Sequence, residues 1–229
     1  MSDSLTFIFS LSILFPAVAG VFRLRNIDAS YRPFLVYILI SLLNELFVGL
    51  YLVNFSKDIK TLNWQLFNLA EWIILLIQFY YWRKLKKHQY IFYVFLFFSL
   101  AGWVFENFIY SNIFAFNPVF LISYSFVLVL LSINTINYTF AQHNQMLSKN
   151  GLFIICVAIA IFFIYTIVVF TFLAMDTKRY DKELMQKIFD IRVYVNALAN
   201  ALYAVGIYYI PVSGVHEAFF KKQQKKNIL

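Results

Sequence analysis

Seven runs of about twenty mostly apolar residues follow one another along the chain, near 5–24, 33–53, 62–82, 90–110, 118–140, 152–175 and 188–210. A helix of about 20 residues crosses a hydrocarbon layer roughly 30 Å thick. Inside lipid every backbone polar group must find its partner within the protein, which a helix achieves along its own length. The expectation is therefore an all-α, polytopic membrane protein with seven transmembrane helices. It forms a single domain over 1–229 and ends in a short basic tail from about 212 to 229. Composition points the same way. The chain is 62% hydrophobic and only 13% charged, against about 25% charged in a soluble domain.

The net charge of +8 is not a nucleic-acid footprint, because the basic residues sit between the runs and at the C-terminus. Assigning alternate connections to opposite sides puts twelve Lys/Arg on one side, among them Arg23, Arg25, Arg32, Lys149 and the tail lysines. Six fall on the other side, Lys57, Lys60, Lys178, Arg179, Lys182 and Lys187, and Arg192 lies inside the seventh run. The excess of Lys/Arg marks the cytoplasmic side. The N-terminus is thus expected outside and the tail inside, in a bacterial inner membrane. MSDS lacks the basic start of a signal peptide, so the first run is expected to be a retained span. The segment DTKRYDKELMQK, with Tyr180, Leu184 and Ile188 at helical spacing, reads as a short amphipathic surface helix. The sixth run, the most uniformly apolar, is expected to face lipid.

The run Leu62–Trp82, LNWQLFNLAEWIILLIQFYYW, carries the most informative polar residues. Trp64, Asn68, Glu71, Leu75 and Gln78 recur on one helical face. A charged group mid-membrane costs about 2.5–3.5 kcal/mol and is tolerated when it faces the bundle interior. Depth from helical rise puts Glu45 about 18 Å from the inner edge, Glu71 about 13 Å from the outer edge, and Glu106 about 5 Å from it, with Arg192 at a similar level. Asn68, Asn196 and Asn200 fall between. These seven residues are the candidate site, an outward-facing intramembrane pocket of three carboxylates and one guanidinium. Arg192 is expected to pair with Glu106, leaving Glu45 and Glu71 to share a proton, bind a cation or recognise an amine. The competing structural role is plain interhelical hydrogen bonding, at about 0.6 kcal/mol per contact.

Trp64, Trp82 and Tyr110 lie near span ends and read as interface anchors. Ala197, Ala201 and Ala204 form a small-residue packing face. Asn134 and Asn137 read as hydrogen-bonding groups at the inner rim. His88, His143 and His216 all fall in connections on the cytoplasmic side, so no intramembrane zinc site is expected, and no other metal or cofactor is. The seventh run has no lysine for a retinal Schiff base, and no phosphate loop or G-x-S-x-G elbow is present. Arg83 and His88 match the R-x4-H spacing of HEPN ribonucleases by chance, within a basic loop. Cys156 is the single cysteine and can make no intrachain disulfide.

At NELFVGLY (44–51), LFNLAEWIILLIQF (66–79) and NALANALYAVGIYY (196–209) the chain resembles a sparsely characterised group of bacterial seven-helix membrane proteins. Similar segments form the membrane input regions of sensor histidine kinases. The resemblance implies a sensory or receptor-like role. The kinase regions themselves do not appear in the sequence, so a signalling partner in the membrane or cytoplasm would be needed. The expected function is a receptor-like or accessory subunit recognising a small ligand or lipid. A proton-coupled carrier, a lipid-modifying membrane enzyme and an oligomeric effector of a stress or defence module are the alternatives. The lipid bilayer and a second copy of the chain are the other expected partners; nucleic acid is not.

Overall fold

The computed structural model describes residues 9, 11–82, 89–142, 147–174 and 182–211. The basic loop 83–88, the segment 175–181, the tail and all three histidines lie outside these. Among the described residues the chain is helical throughout, with seven main helices and no strand. They are α1 (Leu14–Arg23), α2 (Arg32–Leu50), α3 (Lys57–Tyr81), α4 (Gln89–Val104), α5 (Val119–Gln142), α6 (Gly151–Ala174) and α7 (Lys182–Tyr208). Tight turns precede α1 and α2, and a π-helical segment, Phe105–Tyr110, continues α4. Among the described residues four stretches are long and apolar enough to cross a membrane: Ala29–Leu50, Gln89–Tyr110, Val119–Ala141 and Gly151–Ala174. Helices α3 and α7 are longer, at 25 and 27 residues, but their polar residues lower their hydropathy.

Six helices pack in the cyclic order α1–α2–α3–α5–α6–α7, with α7 closing back on α1. Cross-helix bonds fix their directions. Asn63 with Asn44 and Gln78 with Phe34 make α2 and α3 antiparallel. Gln65 with Ala115 and Glu71 with Tyr124 make α3 and α5 parallel. Ser12 with Asn200 and Arg23 with Ile207 make α1 and α7 parallel. One end of the bundle therefore carries the α2–α3 and α4–α5 connections, and the other the α1–α2 turn. Helix α4 stands outside the ring against α3 and α5, and Trp103 is its one buried residue.

Three expectations change here. Helix α6 is not at the periphery: it packs most extensively, on α5 and α7, and half of its apolar window is buried. Its uniform apolarity serves the core. Helix α7 runs from Lys182 through Ile188 without a break, so its first turns are not a separate surface helix. Trp82 is buried, edge-on to Tyr31 at 5.7 Å and Phe79 at 5.3 Å, and is no surface anchor.

The helix ends at the α1–α2 side are tied by side chains. Gln78 is fully buried and caps α2: its Oε1 accepts from the Phe34 backbone N–H at 2.6 Å and its Nε2 donates to the Ser30 carbonyl at 2.7 Å. The Arg23 guanidinium donates to the carbonyls of Ile207, Tyr208 and Ile210 at and just beyond the C-terminus of α7, where the helix's own i+4 donors run out. There α6 and α7 cross closely. A Cβ on Gly151 would lie 2.6 Å from the Gly206 carbonyl oxygen, so that contact requires glycine. This close crossing is at the glycines, whereas Ala201 is exposed.

Candidate functional site

A cavity of about 290 Å³ lies inside the ring. Its wall takes Tyr37, Ser41 and Glu45 from α2, Trp64, Asn68 and Glu71 from α3, and Arg192, Asn196, Asn200 and Tyr203 from α7. Ile13, Leu121 and Phe162 contribute apolar patches from α1's leading turn, α5 and α6. These positions run through the middle turns of α2, α3, α6 and α7, with Leu121 near the start of α5. The cavity thus spans the middle of the bundle, with Glu45, Trp64 and Arg192 nearer the end that carries the α2–α3 and α4–α5 connections.

Glu71 forms the floor. Its Oε1 accepts from the Tyr37 hydroxyl at 3.0 Å and its Oε2 from the Tyr124 hydroxyl at 2.6 Å. Three helices meet at this one buried carboxylate, whose two oxygens retain further acceptor capacity. The Tyr124 ring packs against Trp72 at 5.7 Å, and the Tyr203 ring against Phe34 at 5.2 Å and Tyr37 at 6.5 Å. Asn200 donates to Ser12 Oγ at 2.8 Å. Three residues of the wall hold buried polar atoms with no hydrogen-bond partner: Ser41 Oγ, Asn68 Nδ2 and the Tyr203 hydroxyl.

Toward the mouth, Arg192 sits 4.9 Å from the centroid of the Phe170 ring. Its guanidinium interacts electrostatically with Glu71 and, more weakly, Glu45. Trp64 stacks on Phe116 at 5.0 Å and faces Phe170 at 5.8 Å. It is a cavity wall as much as an anchor at a helix end. Asn63 bonds Asn44 at 3.0 Å and fixes α2 against α3 beside the opening.

Glu45, Glu71, Arg192, Asn68, Asn196 and Asn200 all line this cavity, and Glu106 does not. Glu106 belongs to the π-helical segment after α4, outside the ring. Its Oε1 accepts from the Val119 N–H at 3.1 Å and its Oε2 from the Phe120 N–H at 2.6 Å. It caps α5, whose first N–H groups have no partner within the helix. The expected Arg192–Glu106 pair is therefore replaced by two separate roles. Asn134 and Asn137 are exposed on α5, away from the cavity.

The residues that sequence reasoning missed are Tyr37 and Tyr124, whereas Ser41 stands out inside the second run and Tyr203 shares a helical face with Asn196 and Asn200. Tyr37, Ser41 and Glu45 recur at four-residue spacing and could have been read as one face. Among the described residues no group of three or more His, Cys, Asp or Glu could hold a metal. No family model, curated protein or solved structure matches this chain.

Proposed function

We propose that this chain is a receptor-like or accessory protein of a bacterial inner membrane that recognises a small ligand or a lipid group in the ring cavity. In this reading it crosses the membrane seven times with its N-terminus outside. The alternating helix directions support that topology, and the Lys/Arg excess argues for an outside location of the end nearer Glu45, Trp64 and Arg192. One observation carries the reading: polar side chains of α2, α3 and α7 converge on one cavity inside the ring, and three residues of its wall, Ser41, Asn68 and Tyr203, hold buried polar atoms without a hydrogen-bond partner. Each such buried group costs about 1–3 kcal/mol when unsatisfied. A bound ligand that supplied their partners would recover that cost. The volume is at the low end of the roughly 300–1,000 Å³ of small-molecule sites and suits a compact molecule.

The test is a thermal-melting screen of the detergent-purified chain against metabolites and lipids. At least one compound should raise Tm saturably, and Asn68→Leu and Glu71→Gln should lose the rise while still folding. A broad screen without any stabilising compound refutes the proposal.

A further inference from the structure

We infer that the cavity takes a compact zwitterion of the amino-acid kind, with its oxyanion on Arg192 and Asn196 and its ammonium group toward Glu71. This deepens the ligand-recognition reading and rests on it. Arg192 and Asn196 lie one turn apart on α7 and both line the cavity. Each side chain is partly exposed, and among the described residues neither makes a hydrogen bond. Their unbonded polar atoms are accessible, whereas those of Ser41, Asn68 and Tyr203 are occluded. An incoming molecule therefore meets the Arg192 guanidinium and the Asn196 amide as open hydrogen-bonding groups.

A guanidinium presents a planar fork of N–H donors and no acceptor, which matches the paired oxygens of a carboxylate or phosphate. The Asn196 amide adds donors on the same helix face. The neighbouring Phe170 ring, 4.9 Å from the guanidinium, offers it no oxygen acceptor. The fork is thus held in place and left free to take an oxyanion.

Charge decides what else the ligand carries. Glu71 also lines the cavity and is the acid that acts most strongly on Arg192, ahead of Glu45, which has a further partner of its own. A plain anion on the guanidinium would set a second negative charge against Glu71 in a space shielded from bulk water, which is costly. An ammonium group on the same molecule offsets it, and the net charge of the cavity stays as it was whatever the state of Glu45. The Tyr37 and Tyr124 hydroxyls hold both Glu71 oxygens in place, and each oxygen keeps capacity for another donor. The volume of about 290 Å³ suits a molecule of this size. The same chemistry occurs in free amino acids and, with phosphate as the oxyanion, in ethanolamine lipid headgroups.

The test is the melting temperature of the full chain in nanodiscs of phosphatidylglycerol, titrated with each of the common amino acids, phosphoethanolamine, propionate and ethylamine. A parallel sample carries phosphatidylethanolamine and no added ligand. At least one zwitterion should raise Tm by about 5–10 °C at hundredfold excess over Kd. Propionate and ethylamine should not. Arg192→Gln should lose the shift, and Asn196→Ala, which breaks no bond in the empty protein, should weaken the affinity about fivefold to tenfold. A rise in the phosphatidylethanolamine sample that Arg192→Gln abolishes supports the inference with the lipid as source. Stabilisation by propionate or ethylamine without any zwitterion, or a zwitterion shift that survives Arg192→Gln, overturns the inference and leaves ligand recognition standing. No shift with any of these probes also overturns it, and only silence across the wider screen removes the ligand-recognition reading as well.

Discussion

Replacing Glu71 by alanine removes the shared acceptor of two phenolic hydroxyls on different helices, at 3.0 Å from α2 and 2.6 Å from α5. Interhelical hydrogen bonds in membrane proteins average about 0.6 kcal/mol and reach about 1.7. Bonds to a charged acceptor contribute about 1.5–3 kcal/mol in soluble proteins. Glu71, Tyr37 and Tyr124 are all buried, and 2.6 Å is the length of a charge-assisted O–H···O bond. The upper part of the membrane range therefore applies. Tyr124→Phe should cost about 1.5 kcal/mol and Tyr37→Phe, with the longer bond, about 1. Glu71→Ala orphans both hydroxyls and should cost about 3 kcal/mol. Adding Tyr124→Phe to Glu71→Ala should cost little more, because the bond is already gone. Reversible unfolding in mixed micelles, followed by tryptophan fluorescence, gives these numbers. A Glu71→Ala cost below about 0.5 kcal/mol, or full additivity of the double variant, would refute the clamp.

Three other outcomes follow from the same contacts. Gln78→Leu strips the cap from α2 and leaves the buried Phe34 N–H without its acceptor, so it should cost about 1–3 kcal/mol in the same unfolding assay. Gly151→Ala should destabilise by about 1–3 kcal/mol, since its Cβ would meet the α7 backbone. Gly206→Ala should also destabilise, since its Cβ would lie 2.6 Å from Cγ1 of the fully buried Ile155, partly offset by the roughly 1 kcal/mol that alanine gains in helix propensity. Glu106→Ala should lower Tm by removing the α5 cap, at about 1 kcal/mol, yet leave any ligand-induced rise intact because Glu106 is outside the cavity.

How far the sequence could be read depended on the kind of signal. Helical spacing was enough to place Asn68 and Glu71 on one buried face of α3, and Asn196 and Asn200 together on α7, because periodicity encodes direction around a helix. It also grouped Gln78 with them. Yet Gln78 lies two turns further along and serves a different helix end. Depth along the helix put Glu106 level with Arg192, but depth says nothing about which helices enclose a space, and α4 stands outside the ring. The uniform apolarity of α6 could not separate lipid from core, since lipid tails are as apolar as leucine. The hydroxyls of Tyr37 and Tyr124 were hidden for a similar reason: among 16 tyrosines in an aromatic-rich chain, the two that meet the Glu71 carboxylate are defined only by packing.

The central claim is that side chains from separate helices meet around water-accessible space open to the outer face. Cysteine labelling in intact cells tests it directly, because the native Cys156 is fully buried and should stay silent. Asn196→Cys, on the cavity wall and partly exposed, should react with a polar, membrane-impermeant thiol reagent added from outside. Ala199→Cys, one turn along α7 and buried, should not. Labelling of Ala199→Cys with Asn196→Cys protected, or labelling of Asn196→Cys from the cytoplasmic side alone, would contradict the account.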